Sequence, residues 1–203
     1  RKNIVSLAKM LGYTPTSCRA PNAVLSIKLN DVPSTTTSIV MDKGTVFTTS
    51  INGQSYQFVT NQSHTTQPIA GVYQFDNVNV FEGTLVTFKY TVNSSDVDQK
   101  FIIPATNADT STLKVTVQTS ASDTSTEVYS LVNSFTGLDD TSKSYFIQEG
   151  DEDKFEVYFG DGVLGKKPVD GNIIILEYIV TNTTNSNGAS AFTLSGNIGG
   201  FSD

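Results

Sequence analysis

Hydrophobic and polar residues alternate along much of the chain, and turn residues separate the alternating runs. The runs Leu25–Leu29 and Phe88–Val92 both change from apolar to polar at every residue. A period of two places alternate side chains on opposite faces of a strand, so each run predicts a strand with one solvated face. Strand-like composition between turn residues predicts about a dozen strands in all: Ala23–Leu29, Thr45–Ser50, Gln54–Val59, Val72–Phe75, Val78–Phe81, Leu85–Val92, Phe101–Ile103, Leu113–Thr119, Glu127–Val132, Ser144–Gln148, Phe155–Phe159 and Ile173–Val180.

Helical spacing is strong only at the beginning of the chain. Ile4, Leu7, Ala8 and Leu11 recur at the period of a helix, and Gly12 follows them. This pattern predicts the last turns of an amphipathic helix that ends at a glycine. Because the chain has no initial Met and this helix reads as already under way, we expect a piece of a larger protein.

The strands group into two predicted domains. The polar run Asn93–Gln99 is the predicted boundary between them. We therefore expect the end of a helix and a linker over residues 1–20, a first β domain over 21–95, a second β domain over 96–182, and a polar, glycine-rich connecting segment over 183–203. The predicted fold class is mainly β, with two small domains of sandwich or barrel-like type.

Composition and charge narrow the possible partners. The chain has 203 residues, of which only 16% are charged, and its formal net charge is −7. Its basic residues are scattered, whereas a nucleic-acid partner needs a basic stripe, so we expect no nucleic-acid binding. No apolar run approaches the roughly 20 residues that cross a membrane, so no membrane partner is expected.

Candidate catalytic residues are few. The single histidine, His64, lies in the polar run Asn61–Thr66, whose composition predicts an exposed loop. The single cysteine, Cys18, precedes Arg19 in the linker, and a lone cysteine excludes an internal disulfide framework. One cysteine and one histidine cannot complete a tetrahedral zinc site. The sequence predicts no catalytic residue and no cofactor.

A cluster of carboxylates is the one weak candidate for metal binding. Asp151, Glu152 and Asp153 follow one another, and oxygen clusters of this kind attract Ca²⁺. Their spacing is not that of a helix–loop–helix calcium loop. An acidic loop in solvent is the favoured interpretation, and calcium is the alternative.

The stretch from Phe155 to Tyr178 is the most informative part of the chain. A strand ends at Phe159, and Gly160-Asp161-Gly162 then predicts a turn in which Asp161 caps the backbone. Asp170-Gly171 predicts another turn before the run Ile173–Val180. This run is apolar on both faces, which predicts a strand in the interior of its sheet.

These residues resemble the signature of the baseplate J-like family, which includes the wedge subunit of T-even-type bacteriophage baseplates. The signature positions are Phe159, Gly160, Asp161, Gly162, Gly165, Pro168, Gly171 and Tyr178. Two more segments are similar to that family: the helix-to-β junction from Asn3 to Ala23, and the early hairpin from Lys43 to Phe58.

The resemblance implies a structural subunit of the virion tail baseplate, assembled in the cytoplasm of the bacterial host. It implies a homodimer within each wedge, contacts with other wedge subunits, and contacts with neighbouring wedges that close a ring around the hub. It implies no catalytic residues. The alternative is a receptor- or carbohydrate-binding β module of a tail fibre or adhesin, with clustered aromatic residues in a concave site. An enzyme is the third hypothesis.

Overall fold

A computed structural model of the chain describes residues 16–30, 32–134, 136–182 and 186–201. Half of the residues are in strands, which confirms the mainly β prediction. The strands are β1 (Asn22–Leu29), β2 (Ile39–Met41), β3 (Val46–Ile51), β4 (Gln54–Thr60), β5 (His64–Thr66), β6 (Tyr73–Glu82), β7 (Thr84–Thr91), β8 (Phe101–Ile102), β9 (Ala108–Gln118), β10 (Thr126–Leu131), β11 (Ser144–Glu149), β12 (Phe155–Phe159), β13 (Ile173–Val180) and β14 (Thr193–Ser195). The helix predicted to end at Gly12 lies outside the described residues.

The chain folds into two compact units. One, which we call the curled-sheet unit, comprises residues 18–85 and 179–203. The other, the barrel-like unit, comprises residues 86–178 together with residues 16 and 17. The polypeptide therefore leaves the curled-sheet unit once and returns to it, so that residues 86–178 form an insertion.

The curled-sheet unit is built on a five-stranded sheet in the order β1-β6-β4-β3-β14. All of its pairs are antiparallel. The turn between β3 and β4 is the predicted Asn52-Gly53 hairpin, with φ of 52° at Asn52 and 80° at Gly53. Two consecutive positive φ values match the right-handed twist of the flanking strands, which is why Asn-Gly is favoured there.

The larger buried cluster of this unit packs side chains of the five-stranded sheet against Ile39 and Met41 of β2. Its members are large apolar side chains from most strands of the unit: Leu29, Ile39, Met41, Phe47, Phe58, Tyr73, Phe75, Val78, Val80 and Ile198. The last of these comes from the segment 183–203, which was predicted to be a polar connector. That segment also supplies β14, whose Leu194 pairs with Phe47 of β3, so it is part of the fold.

The barrel-like unit is built on a seven-stranded sheet in the order β7-β13-β9-β10-β11-β12-β8. The pair β10–β11 is parallel. The strand β13 lies between β7 and β9, which confirms its predicted interior position. The sheet is nearly closed on itself.

Side chains bridge the gap between the two edge strands, β7 and β8. The hydroxyl of Tyr90 on β7 donates to the carbonyl oxygen of Ile102 on β8 at 2.7 Å. The ring of Tyr90 packs edge-on against Phe101, with centroids 5.7 Å apart. The amide of Gln99 donates to the carbonyl oxygen of Thr91 at 2.8 Å. A buried sheet edge needs such partners, because its backbone groups are otherwise unpaired.

The structure divides the chain at a different place from the predicted 95/96 boundary. The polar run Asn93–Gln99 is a loop between two strands of the same sheet, β7 and β8. It is folded on itself: Asn93 N–H donates to Gln99 Oε1 at 2.9 Å. Polar composition marks a loop equally well within a domain and between domains, which is why the run was misleading. The actual division falls between Leu85 and Val86, and again between Tyr178 and Ile179.

Candidate functional site

Six of the eight residues that carry the resemblance lie in the loop between β12 and β13, residues 160–172, which we call the motif loop; Phe159 ends β12 and Tyr178 lies on β13. Gly160 is buried at its start, and a Cβ built on Gly160 would lie 2.2 Å from the carbonyl oxygen of Gly165. Gly165 itself has φ of +95°, and a Cβ there would lie 2.8 Å from Ser144 Oγ. The first glycine is therefore required by close approach of the backbone, and the second by both conformation and space.

Asp161 caps the turn, as predicted. Its Oδ1 accepts hydrogen bonds from the backbone N–H groups of Val163 and Leu164, both at 2.9 Å. These two bonds to the charged form, that from Leu164 first, hold the pKa of Asp161 below its usual value. Gly162, with φ of +92°, provides the left-handed residue of the turn.

Backbone hydrogen bonds attach the first half of the motif loop to the segment before β11. Gly165 N–H donates to the carbonyl oxygen of Asp139 at 2.8 Å, and Lys166 N–H donates to that of Ser142 at 2.7 Å. The Lys166 ammonium also reaches Glu127 on β10 at 2.5 Å. The loop is thus held at three points rather than only at its ends.

The second half of the motif loop is fixed by Asn172. The side chain of Asn172 accepts from Val169 N–H at 2.8 Å and donates to the carbonyl oxygen of Thr119 at 2.8 Å. Gly171 N–H donates to the carbonyl oxygen of Val92 at 3.0 Å. Val92 directly follows β7, so this bond joins the motif loop to the end of the neighbouring strand.

Pro168 and Tyr178, two further residues of the resemblance, are both buried. Pro168 is a buried member of the motif loop itself. Tyr178 is fully buried on β13, and burial, followed by the nearby Tyr90, raises the pKa of its phenol. Gly160, Asp161 and Gly165 therefore fix the backbone of the motif loop, and Gly171 joins it to the residue after β7.

The motif loop exposes three aliphatic side chains beside its polar ones. Val163 is 70% exposed, Leu164 is 42% exposed and Val169 is 64% exposed. On the neighbouring loop, Val97 is 91% exposed. Exposed aliphatic side chains on a firmly held loop are typical of a contact surface, because little conformational entropy is lost when a partner covers them.

A cleft of about 380 Å³ adjoins the motif loop within the barrel-like unit. It is lined by the loop after β7, by the end of β12, and by Lys167 and Pro168 of the motif loop. Its aromatic residues are Phe101, Tyr158 and Phe159. Phe101 and Phe159 pack edge-on with centroids 5.6 Å apart.

Glu156 is the buried acid of this cleft. Its carboxylate accepts from the hydroxyl of Tyr158 and lies 3.2 Å from the ammonium of Lys100. Gln148 in turn donates to the Tyr158 hydroxyl. Burial acts to raise the pKa of Glu156, but the bonds from Tyr158 and Lys100 outweigh burial and lower it. The acid is thus kept ionised and paired, as a structural or ligand-orienting group would be.

The predicted acidic cluster forms a short 3₁₀ turn over Asp151–Asp153. Glu152 and Asp153 both have positive φ, and Glu152 lies 2.9 Å from the ammonium of Lys154. The side chain of Asp151 lies outside the described part of the protein. Within residues 16–30, 32–134, 136–182 and 186–201, no three His, Cys, Asp or Glu side chains are grouped so that they could hold a metal ion.

The position of His64 differs from the prediction. It begins β5, where it pairs with Met41 of β2, and it is half-buried rather than exposed. Its Nε2 atom is buried and has no hydrogen-bond partner in the described part of the protein. Cys18, the other reactive residue, is half-buried before β1.

Sequence reasoning missed Glu82, a fully buried acid at the end of β6. Its carboxylate accepts from Thr181 Oγ1 at 2.6 Å, from Asn182 N–H at 3.0 Å and from Asn182 Nδ2 at 3.0 Å. The signal was its place at the end of the apolar run of β6, immediately before Gly83. A Cβ on Gly83 would lie 2.1 Å from the carbonyl oxygen of Val180, so the two chain segments touch there.

No family model matches the chain, and no curated protein matches it. Among the described residues, no helix has the length and apolarity needed to cross a membrane. The resemblance to the baseplate J-like family therefore rests on the residues given above.

Proposed function

We propose that the chain is a structural subunit of a contractile bacteriophage tail baseplate, which joins neighbouring wedges into a ring around the hub and performs no catalysis. The observation that carries this proposal is the motif loop. Its glycines and its capping aspartate fix the backbone, while its outer side presents Val163, Leu164 and Val169 to solvent. A loop of this kind suits contact with another protein better than chemistry.

The polar groups near the motif loop support the same proposal. The carboxylate of Asp161 accepts hydrogen bonds from two backbone N–H groups. The carboxylate of Glu156 is paired with Lys100 and Tyr158. The carboxylate of Glu127 is paired with Lys143 and Lys166. A general acid or base must be able to exchange its proton with a substrate. Carboxylates that are each paired within the protein instead hold the surface loops in place.

The test is reconstitution with the wedge proteins of the parent phage. The double variant V163D/V169D is expected to fold and to fail to enter the wedge complex, because it places two charges in an apolar contact. The control is Val128→Asp, which alters a valine that is 55% exposed on β10 of the same unit. Size-exclusion chromatography with light scattering measures the complex. If the unsubstituted protein joins no wedge partner at high concentration, the proposal is overturned.

The second candidate function, a carbohydrate- or receptor-binding module, is favoured by the cleft. Three aromatic residues and the Lys100–Glu156 pair line a volume of about 380 Å³, within the size range of small-ligand sites. Sugar rings stack on exposed aromatic faces, and Tyr158 is the most exposed of the three. Glycan-array binding that is lost in Tyr158→Ala, with wedge assembly absent, would favour this function over the first.

A further inference from the structure

The strand β1 has a long open edge. It has eight residues, so its backbone extends over roughly 26 Å. It lies at the end of the five-stranded sheet and pairs with β6 on one side. The N–H and C=O groups on its other side have no strand partner within the described part of the chain.

This edge carries few of the usual protections against pairing. Proteins protect exposed edges with prolines, with charged side chains, lysine above all, or with bulges. Pro21 precedes β1, and no proline lies within it; Lys28 is its only charged residue. The bulge in the β1–β6 ladder is on the other strand: Asp76 and Asn77 of β6 lie opposite the single residue Ser26. The outer edge of β1 therefore stays regular.

The two faces of β1 differ in a way that suits continuation of the sheet. Ala23, Leu25 and Ile27 are half-buried and pack against the core of the curled-sheet unit. Val24 and Lys28 are exposed on the opposite face. A further strand beside β1 would cover the exposed parts of the three core-facing side chains and extend the apolar layer.

We propose that β1 pairs antiparallel with β1 of a second copy of this chain, so that the two five-stranded sheets become one continuous sheet. A two-fold axis then makes the contact self-complementary. Residues on the same face must lie opposite each other, so the core-facing side chains of both copies stay on one side.

Charge selects the register of this pairing. With Leu25 opposite Leu25 of the second copy, Ala23 lies opposite Ile27, and Lys28 lies opposite Asn22. Each Lys28 then faces a neutral amide. A register centred on Lys28 would instead place two ammonium groups opposite each other and would shorten the paired segment, so it is disfavoured.

The inference deepens the proposed function, and its biological use rests on that function: it names the surface of the homodimer within a wedge. The pairing itself depends only on β1. It concerns the curled-sheet unit, whereas the assembly test above alters the barrel-like unit, so the two proposals fail separately.

The experiment measures self-association of the 203-residue chain by sedimentation equilibrium. Asn22→Lys is expected to weaken the dimer about tenfold, because two-fold symmetry creates two Lys–Lys pairs. Asn22→Glu is expected to tighten it by a similar factor, and the double variant N22K/K28E should restore the dimer. Both positions are exposed, so these variants should fold; circular dichroism checks this.

The matched control is Asn187→Lys, and Asn187→Glu beside it. This asparagine is exposed in the same unit and lies outside β1. Its substitution therefore changes the net charge by the same amount without altering the paired strands. The control variants should leave the dissociation constant unchanged. A chain that stays monomeric at millimolar concentration would overturn the inference, and so would a dimer whose affinity responds equally to residues 22 and 187. If wedge assembly is still observed with either of these results, the proposed function is unaffected and only the inference about β1 is wrong.

Discussion

Gly160 and Gly165 face each other so closely that a single methyl group at Gly160 would lie 2.2 Å from the carbonyl oxygen of Gly165. Atoms at that distance overlap, and both residues belong to backbone that cannot move aside without breaking the bonds from Gly165 to Asp139 and from Lys166 to Ser142. We therefore predict that Gly160→Ala lowers the free energy of unfolding by about 3 kcal/mol or more.

The control for this prediction is Gly171→Ala in the same loop. Gly171, unlike Gly160, has a positive φ of +79°, and nothing lies within 4 Å of a Cβ built there. The cost should therefore be the conformational strain alone, about 1 kcal/mol. Urea denaturation measures both variants. Equal effects would mean that the close approach at Gly160 is relaxed in solution.

Asp161 gives a second prediction, about local order in the motif loop. Asp161→Ala removes the acceptor for Val163 and Leu164, and both amide hydrogens should exchange with solvent faster. Asp161→Asn keeps a side-chain oxygen and should retain most of the protection. Hydrogen–deuterium exchange resolved at these two amides is the measurement. If alanine and asparagine give the same exchange rates, the cap does not order the loop.

The turn at the start of the motif loop could be predicted from sequence because its constraints are local. Gly162 and Asp161 act on their immediate neighbours, and the Asn52-Gly53 hairpin is fixed by two adjacent residues. Most strands were also predicted, since alternation is a local pattern. Short strands such as β2 and β5 were missed because three residues hold too few alternations.

What could not be predicted depends on contacts between distant parts of the chain. The separation of residues 86–178 as an insertion follows from which strands pair, and the pairing of β14 with β3 joins residues about 145 apart. The burial of Glu82 likewise depends on Thr181 and Asn182 lying beside it. His64 reads as a loop residue because its neighbours are polar, and only the pairing with Met41 makes it part of a strand.

Glu82 provides the third prediction. Its two oxygens accept three hydrogen bonds from Thr181 and Asn182 in a fully buried position. Glu82→Gln replaces one acceptor with a donor that faces other donors, so the free energy of unfolding should fall by about 2 kcal/mol. The exposed Glu152→Gln is the control and should change stability by less than about 0.5 kcal/mol. A silent Glu82→Gln variant would mean that the amide finds other partners.

The fourth prediction concerns His64, whose Nε2 is buried without a hydrogen-bond partner among the described residues. His64→Val removes this polar atom and adds a β-branched residue to β5, so stability should rise by about 1 kcal/mol. His64→Gln keeps a polar end at the same place and should give no gain. Thermal unfolding of the two variants distinguishes them. A loss of stability in the valine variant would show that the imidazole has a partner in solution.

The last prediction is a loss of stability in alkali. Burial raises the pKa of Tyr145 to about 12, and burial together with the charge of Glu127 raises the pKa of Tyr129 to about 12. In the unfolded chain both phenols titrate near 10. The folded state therefore holds these protons more tightly, and its advantage is complete below pH 10 and lost as the pH rises from about 10 to 12. Each tyrosine should lower the free energy of unfolding by about 1.4 kcal/mol per pH unit within that window.

Tyr145→Phe tests this directly, because phenylalanine fills nearly the same volume and does not titrate. Its free energy of unfolding should fall less steeply above pH 10 than that of the unsubstituted chain. The difference between the two slopes should equal the contribution of one tyrosine. Urea denaturation between pH 8 and pH 11.5 gives the slopes, and phenolate absorbance of the folded protein shows whether the phenols stay protonated there. Parallel slopes would mean that Tyr145 is reached by solvent before the fold is lost, and the alkaline instability would then have to come from other groups.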